Sequence, residues 1–256
     1  MAQLCAVDRR SRTNICLHRG TGVPPVVREK TSACIVARAS RLLFRSGDKI
    51  NSAPAILPLA ADYPYQINTP PVGILSKYPI VSSEILHLAG HRETQQRAII
   101  KFNEQEVVIY NMQATGPWIK IYNILRFLTI PVYKYGPRSP EIQDLLQRVE
   151  REILPVIVAG DFNMTDDTQD YDRVQKVMQD SFQKSGLGLG FTWPHGWELK
   201  FLVKSSKWRL NYPVFRIDYI WYSKHWGAKS SSVLSATESD RLPVAAELIL
   251  LTAARL

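Results

Sequence analysis

Val156-Ile-Val-Ala-Gly160-Asp-Phe-Asn163 is the stretch on which the fold turns. Four apolar residues before a glycine read as a fully buried strand that stops abruptly. Such a strand delivers polar side chains to the edge of a sheet on a rigid support. Asp161 and Asn163 are two apart, so in extended geometry they point the same way while Phe162 faces the core. A carboxylate beside a neutral amide can orient a water and donate to a phosphoryl oxygen. The plainer reading is a strand end followed by an Asx turn, and for four residues alone it weighs as much.

The flanking sequence supplies helices and strands in alternation. Upstream, Ser139 is placed to cap a helix, with Pro140 at its first position and Glu141 complementing the dipole. Ile142, Leu145, Leu146, Val149 and Ile153 give that helix one apolar stripe. Downstream, a second helix is expected over about 171–184, stopping at Gly186, then strands near 215–222 and 244–251. Pro71 to Pro79 reads as a short strand and turn. Arg97–Phe102 and Val107–Asn111 flank Asn103-Glu-Gln-Glu as a hairpin. The run from Trp118 to Tyr133 is interrupted by Lys120, Asn123, Arg126 and Pro131, and reads as a half-buried helix or loop, with an interfacial amphipathic segment as the rarer alternative. Strands outnumber helices, so a layered α/β sandwich follows.

Composition sets the outer bounds. A chain of 256 residues, 45% hydrophobic and 21% charged, is ordinary for a globular protein with a substantial core. The net charge of +9 is concentrated in residues 1–50, which hold ten Lys/Arg against three Asp/Glu. Those residues show neither period and read as an atypical basic segment, poorly ordered, in front of a domain spanning 51–256. Cys5, Cys16 and Cys34 all fall in it, and an odd count without CxxC spacing argues against a disulfide framework or a zinc site. No secretory signal is visible, and no run reaches the ~18–20 apolar residues of a membrane span. The cytoplasm is the expected compartment. A basic nucleic-acid-binding module is the weakest class, because the charge lies outside the patterned region and no aromatic-basic stripe supports it.

Two further carboxylates shift the reading of Asp161. Arg216-Ile-Asp-Tyr-Ile-Trp221 puts Asp218 inside an apolar strand, where a lone carboxylate is costly unless partnered. Ser239-Asp-Arg-Leu-Pro-Val244 puts Asp240 just before the last strand. The ordered set resembles the endonuclease/exonuclease/phosphatase superfamily. Gly160–Asn163 is similar to its GDFN motif, Ile217-Asp-Tyr to its IDY strand, Ser239-Asp240 to the start of its SDH motif. Gly73–Ile80 and Thr192-Trp-Pro194 resemble two further segments of it. The likeness covers about 62–250 and implies a four-layered α/β sandwich that hydrolyses phosphodiesters or phosphomonoesters with Mg²⁺. By position, Asp161 would orient or deprotonate the attacking water, Asn163 would bond a phosphate oxygen, Asp218 would orient the motif histidine and Asp240 would sit at the metal. The resemblance also makes a phosphate ester the partner, with nucleic acid and phospholipid as candidate classes.

Three departures accompany the match. Arg241 stands where the motif has histidine, and a guanidinium stays protonated at working pH, so it can pair with Asp218 or contact phosphate but not exchange a proton. Asn111-Met-Gln113 carries glutamine where a second histidine is frequent, leaving Asn111 and Gln113 as hydrogen-bonding groups. Residues 1–61 supply neither the family's first-strand Asn, since Asn14 and Asn51 lack strand-like settings, nor its Gln-Glu pair, so the sandwich is expected to lack its first strands. His195 and His225 are the nearby histidines, both expected as loop or surface residues. Two readings remain: a Mg²⁺-dependent phosphoesterase, or an impaired scaffold retaining a phosphate-binding groove.

Overall fold

The structure, a computed structural model, describes residues 13–19, 32–39, 63–69, 72–91, 95–116, 118–125, 128–134, 136–198, 209–235 and 240–251. The first strands are β1 (Thr13–Arg19), β2 (Ser32–Ala39), β3 (Tyr65–Thr69), β4 (Val72–Ser76), β5 (Ile80–Leu86), β6 (Gln95–Phe102) and β7 (Gln105–Gln113). A hairpin of β8 (Trp118–Leu125) and β9 (Leu128–Lys134) precedes helix α1 (Arg138–Arg151), β10 (Val156–Asp161) and helix α2 (Gln169–Val177). The chain continues through β11 (Gln179–Asp180), helix α3 (Ser181–Ser185), β12 (Trp197–Glu198), β13 (Arg209–Leu210), β14 (Asp218–Tyr222), β15 (Trp226–Val233) and β16 (Val244–Leu250).

Two six-stranded sheets form the centre of an α/β sandwich, ordered β15-β16-β2-β1-β4-β3 and β11-β14-β10-β7-β6-β5. They are joined by one apolar cluster, to which Ile74, Val244, Ala246 and Leu248 contribute from the first sheet and Ile100, Ile109, Ile157, Ala159 and Ile220 from the second. On the other face of the second sheet Val108, Tyr110, Val158 and Trp221 pack with Ile142, Leu145 and Val149 of α1 and Val174 of α2. Both faces of β10 are thus covered, which explains an unbroken apolar run rather than an alternating one.

The structure corrects several expectations in instructive ways. The sheet does not lack its first strands: β1 and β2 lie between β16 and β4, with β1 parallel to β4 and antiparallel to β2. Asn14 lies in β1, in register with Gly73 and Arg38. Neighbours on both sides supply the backbone pairing here, and those neighbours are distant in sequence. The proposed boundary near residue 50 falls among residues 40–62, outside the described residues, as does Asn51.

The stretch 118–133 is neither helix nor loop but the β8–β9 hairpin, in which Ile121 pairs with Pro131; its β-branched and aromatic residues suit a pleated surface. Helix α1 begins at Arg138 with Pro137 before it, and Ser139 Oγ donates to Asp170 Oδ2 (2.8 Å) instead of capping. Ile153 falls beyond the helix and is 91% exposed. The second helix is two: the chain turns extended at Met178, and Asp180 Oδ1 accepts from Phe182 N–H (2.9 Å) to start α3. An aspartate with this capping preference ends one helix and opens another more readily than it sits mid-helix.

At the end of β10, Gly160 lies opposite Met112 of the parallel strand β7. Its φ is +141°, and a Cβ there would come 2.0 Å from the Met112 carbonyl oxygen. Backbone conformation and backbone proximity both require glycine. Gly160→Ala should therefore lose at least ~2–3 kcal/mol of stability in denaturant unfolding. Gly136→Ala, whose Cβ would meet nothing within 4 Å, should stay within about 0.5 kcal/mol of the parent.

Candidate active site

Strand register brings the acidic residues together. On the antiparallel pair β10–β14, Asp161 is directly opposite Asp218; on the parallel pair β10–β7, Asp161 is level with Gln113. Gln113, Asp161 and Asp218 share parity with Ile109, Ala159 and Ile220, so all three extend from the face toward the first sheet. Three adjacent strands therefore present a glutamine and two carboxylates side by side at one end of the intersheet space.

Asn163 follows with φ +48°, a left-handed conformation that asparagine tolerates better than most residues. This bend returns its amide over Asp161: Asn163 N–H donates to Asp161 Oδ1 (2.9 Å) and Asn163 Nδ2 to Asp161 Oδ2 (3.1 Å) and to Ala114 O (2.7 Å). Gln113 Nε2 donates to Asp161 Oδ2 (3.0 Å). The GDFN glycine and asparagine thus each have a backbone reason to be where they are.

Arg241 enters this cluster from the loop before β16. Its Nη1 lies 2.8 Å from Asp161 Oδ1 and 3.4 Å from Asp218 Oδ1, and its Nη2 donates to Asn163 Oδ1 (3.3 Å). Asp161, Asp218 and Arg241 are 1%, 2% and 5% exposed. Burial pushes Asp161 upward from the ordinary carboxylate range, against the pull of Arg241 and the Asn163 N–H. Asp218 is pushed up to about 7, first by burial, with Arg241 lowering it and the Asp161 charge raising it. Asp161 accepts from Gln113 Nε2, Asn163 N–H, Asn163 Nδ2 and Arg241, and so has more donors to its charged form than Asp218.

Asn111, two residues before Gln113, donates through Nδ2 to Gly73 O (3.0 Å) and Gln96 Oε1 (3.3 Å). It ties the two sheets together behind the cluster. Asp240 is half-buried, and its carbonyl accepts from His195 N–H (2.8 Å). His225 lies beyond the far end of β14, its Nδ1 paired with Ser223 Oγ (3.1 Å).

Two positioning residues were not legible as such. Arg138 at the start of α1 donates through Nη1 to Asn163 O (2.5 Å) and through Nε to Asp170 Oδ2 (3.1 Å), fixing the bend after β10. Glu141, expected only to complement the helix dipole, accepts from Thr115 N–H (2.7 Å) and pairs with His91 Nδ1 (2.9 Å), holding the loop that follows Gln113. The sequence marked only Glu141, as a helix-start residue, and such a signal does not reveal contacts made 25 or more residues away.

The family implies a divalent cation near Asp240. Among the described residues no three His, Cys, Asp or Glu side chains converge to hold one. Asp161 and Asp218 already face the Arg241 guanidinium. The described donor set does not fit a resident Mg²⁺, which needs octahedral oxygen ligands even when waters supply several.

The sequence profile of the Endonuclease/Exonuclease/phosphatase family matches residues 42–241, and the chain belongs to that family. A beta toxin structure from Staphylococcus aureus is similar at 15% identity and TM-score 0.51, covering 75% of this chain and 80% of that one. A family protein from Leptotrichia buccalis is similar at 15% identity and TM-score 0.50, over 82% of each chain. One from Bacteroides thetaiotaomicron is 22% identical, with TM-score 0.48, over 69% and 68%. The first two likenesses bear on the fold alone. No curated protein matches the sequence. No helix among the described residues is long and apolar enough to cross a membrane.

Because the folded Asp218 holds its proton more tightly than the unfolded chain does, its contribution to stability is full below pH ~4 and is lost as pH rises through about 7. Asp218→Asn should flatten this dependence: denaturant midpoints measured at pH 5 and 8 should differ less in the variant than in the parent. An unchanged pH slope would show that Asp218 is not the group responsible.

Proposed function

We propose that the chain binds phosphate esters at the Asp161–Asn163–Arg241 cluster and hydrolyses them with reduced power. The carrying observation is the buried guanidinium of Arg241 between Asp161 and Asp218. Arginine in that place supplies permanent positive charge and a planar set of donors suited to phosphate oxygens. It supplies no proton exchange, and the loss of a positioned acid–base group costs roughly 10²–10⁴ in rate.

In this reading Asp161 keeps the water-orienting role, held by Gln113 and the Asn163 backbone. Asn163 swings its amide from Ala114 to the phosphate when substrate arrives. Asp218 anchors Arg241 instead of a histidine, and Gln113 contributes hydrogen bonds without titrating. The described residues do not fit a resident Mg²⁺, so no step of this reading passes through the ion and each rests on the chain's own groups. The substrate class stays as broad as the family, nucleic acid and phospholipid included, and the cytoplasm is the proposed compartment.

Hydrolysis of a generic aryl phosphodiester with Mg²⁺ tests this. The parent should turn over slowly, Asp161→Ala should abolish turnover, and Arg241→His should raise it about tenfold or more, with Gln113→His added raising it further. A parent whose turnover falls on Arg241→His would contradict the impaired reading.

A further inference from the structure

Two buried polar side chains near the cluster take no part in the phosphoester chemistry. Glu141, in the first turn of α1, has no exposed surface. It accepts from Thr115 N–H (2.7 Å) and Thr115 Oγ1 (2.5 Å) and pairs with His91 Nδ1 (2.9 Å). A carboxylate is costly to bury, and three partners brought from two other segments offset that cost. Gln95, at the start of β6, is 1% exposed. It donates through Nε2 to Gln113 O (2.9 Å) and accepts through Oε1 from Leu88 N–H (3.3 Å).

Their bonds fall on consecutive residues at the end of β7. Among the described residues, the pairing of β6 with β7 runs out with Gln96 opposite Asn111. Past that point Gln95 holds Gln113 O, Ala114 N–H donates to Asp161 O (2.8 Å), and Glu141 holds Thr115. The same stretch reaches into the cluster, since Gln113 Nε2 donates to Asp161 Oδ2 and Ala114 O accepts from Asn163 Nδ2. Behind it, the turn Leu88–Gly90 is fastened to α1 a second time, by Ala89 N–H donating to Asp144 Oδ2 (2.8 Å). Ala89 stands at φ +52°, a left-handed conformation unusual for a residue with a Cβ and kept only where the surroundings fix it.

We infer that Gln95 and Glu141 are positioning residues for phosphoester hydrolysis: together they clasp residues 113–115 and so set where Gln113 and the Ala114 carbonyl stand against Asp161 and Asn163. The inference rests on the phosphoester reading above and adds the groups that place its hydrogen-bonding side chains. Both residues act through the chain they hold, extending the grip of the sheet past the point where strand pairing stops. Simple bracing of the turn would need the bonds to Leu88 and Ala89, but not those to Gln113 and Thr115. Such a grip matters to rate, because a misplacement of ~1 Å in an orienting group costs on the order of 10².

Steady-state hydrolysis of an aryl phosphodiester by the full chain, with Mg²⁺ and at a temperature where every variant is folded, tests the clasp. Gln95→Met and Glu141→Ala should each lower kcat about tenfold or more while KM changes less than about twofold, since orientation is lost in the transition state and not in binding. Glu141→Gln, which still accepts from Thr115, should recover most of that loss. If Glu141→Ala does not fold, Thr115→Ala removes only the hydroxyl's hold and should lower kcat severalfold, again at constant KM. Lower unfolding midpoints with kcat unchanged would make the clasp merely structural and overturn the inference. A raised KM at constant kcat would overturn it by making residues 113–115 a binding element. Equal losses in Glu141→Gln and Glu141→Ala would overturn it in favour of a charge effect. A parent without turnover would instead sink the phosphoester reading, and the role of the clasp with it.

Discussion

Two carboxylates on adjacent strands, opposite each other and both buried, cannot both be charged without a cation between them. That constraint governs the site. Asp161 and Asp218 are register partners, and the attraction of like-facing carboxylates for a shared counter-charge is steep where water is excluded. Arg241 meets it from within the chain. The cost is burial of a guanidinium, which is tolerable because its donors reach Asp161, Asp218 and Asn163. Removing one member leaves the others buried and unbalanced, so the cluster stabilises as a unit or not at all.

The rest of the molecule converges on keeping that unit in place. β10 is rigid because both of its faces are covered, by the first sheet on one side and by α1 and α2 on the other. Gly160 lets the strand end against β7, Asn163 turns the chain back, and Arg138 clamps the turned carbonyl. A second buried guanidinium, Arg216, pairs with Asp180 and lies over the rings of Tyr171, Phe182 and Tyr219. It locks the start of β14, two residues before Asp218, to α2 and α3. The site is thus braced at both of its acidic strands by an arginine from outside the motifs.

What could be read from the sequence was whatever a short local pattern determines. The apolar run into Gly160, the hairpin around Asn103 and the stripe on α1 are all local, and the structure has them. The opposition of Asp161 to Asp218 is a matter of long-range register, and sequence order suggested the grouping through the family motifs without giving the pairing. β1, β2 and the β8–β9 hairpin were missed for the same reason: their pairing depends on neighbours distant in sequence or on a turn without a distinctive signal. The break between α2 and α3 was missed because the apolar period continues through it, while Asp180 is claimed by a cap and by Arg216. Glu141 carried an ordinary helix-start signal and Arg138 none, and both make contacts to the loops of the site that local sequence does not reveal.

If Arg241 supplies from inside the chain the charge balance that a divalent ion gives a metal-bound site, Mg²⁺ should bind poorly until the guanidinium is removed. Calorimetric titration of Mg²⁺ into the parent and into Arg241→Met measures it directly. Little or no binding to the folded parent and clear binding to the variant, where Asp161 and Asp218 are released, is the predicted result. Equally tight Mg²⁺ binding to both proteins would contradict it.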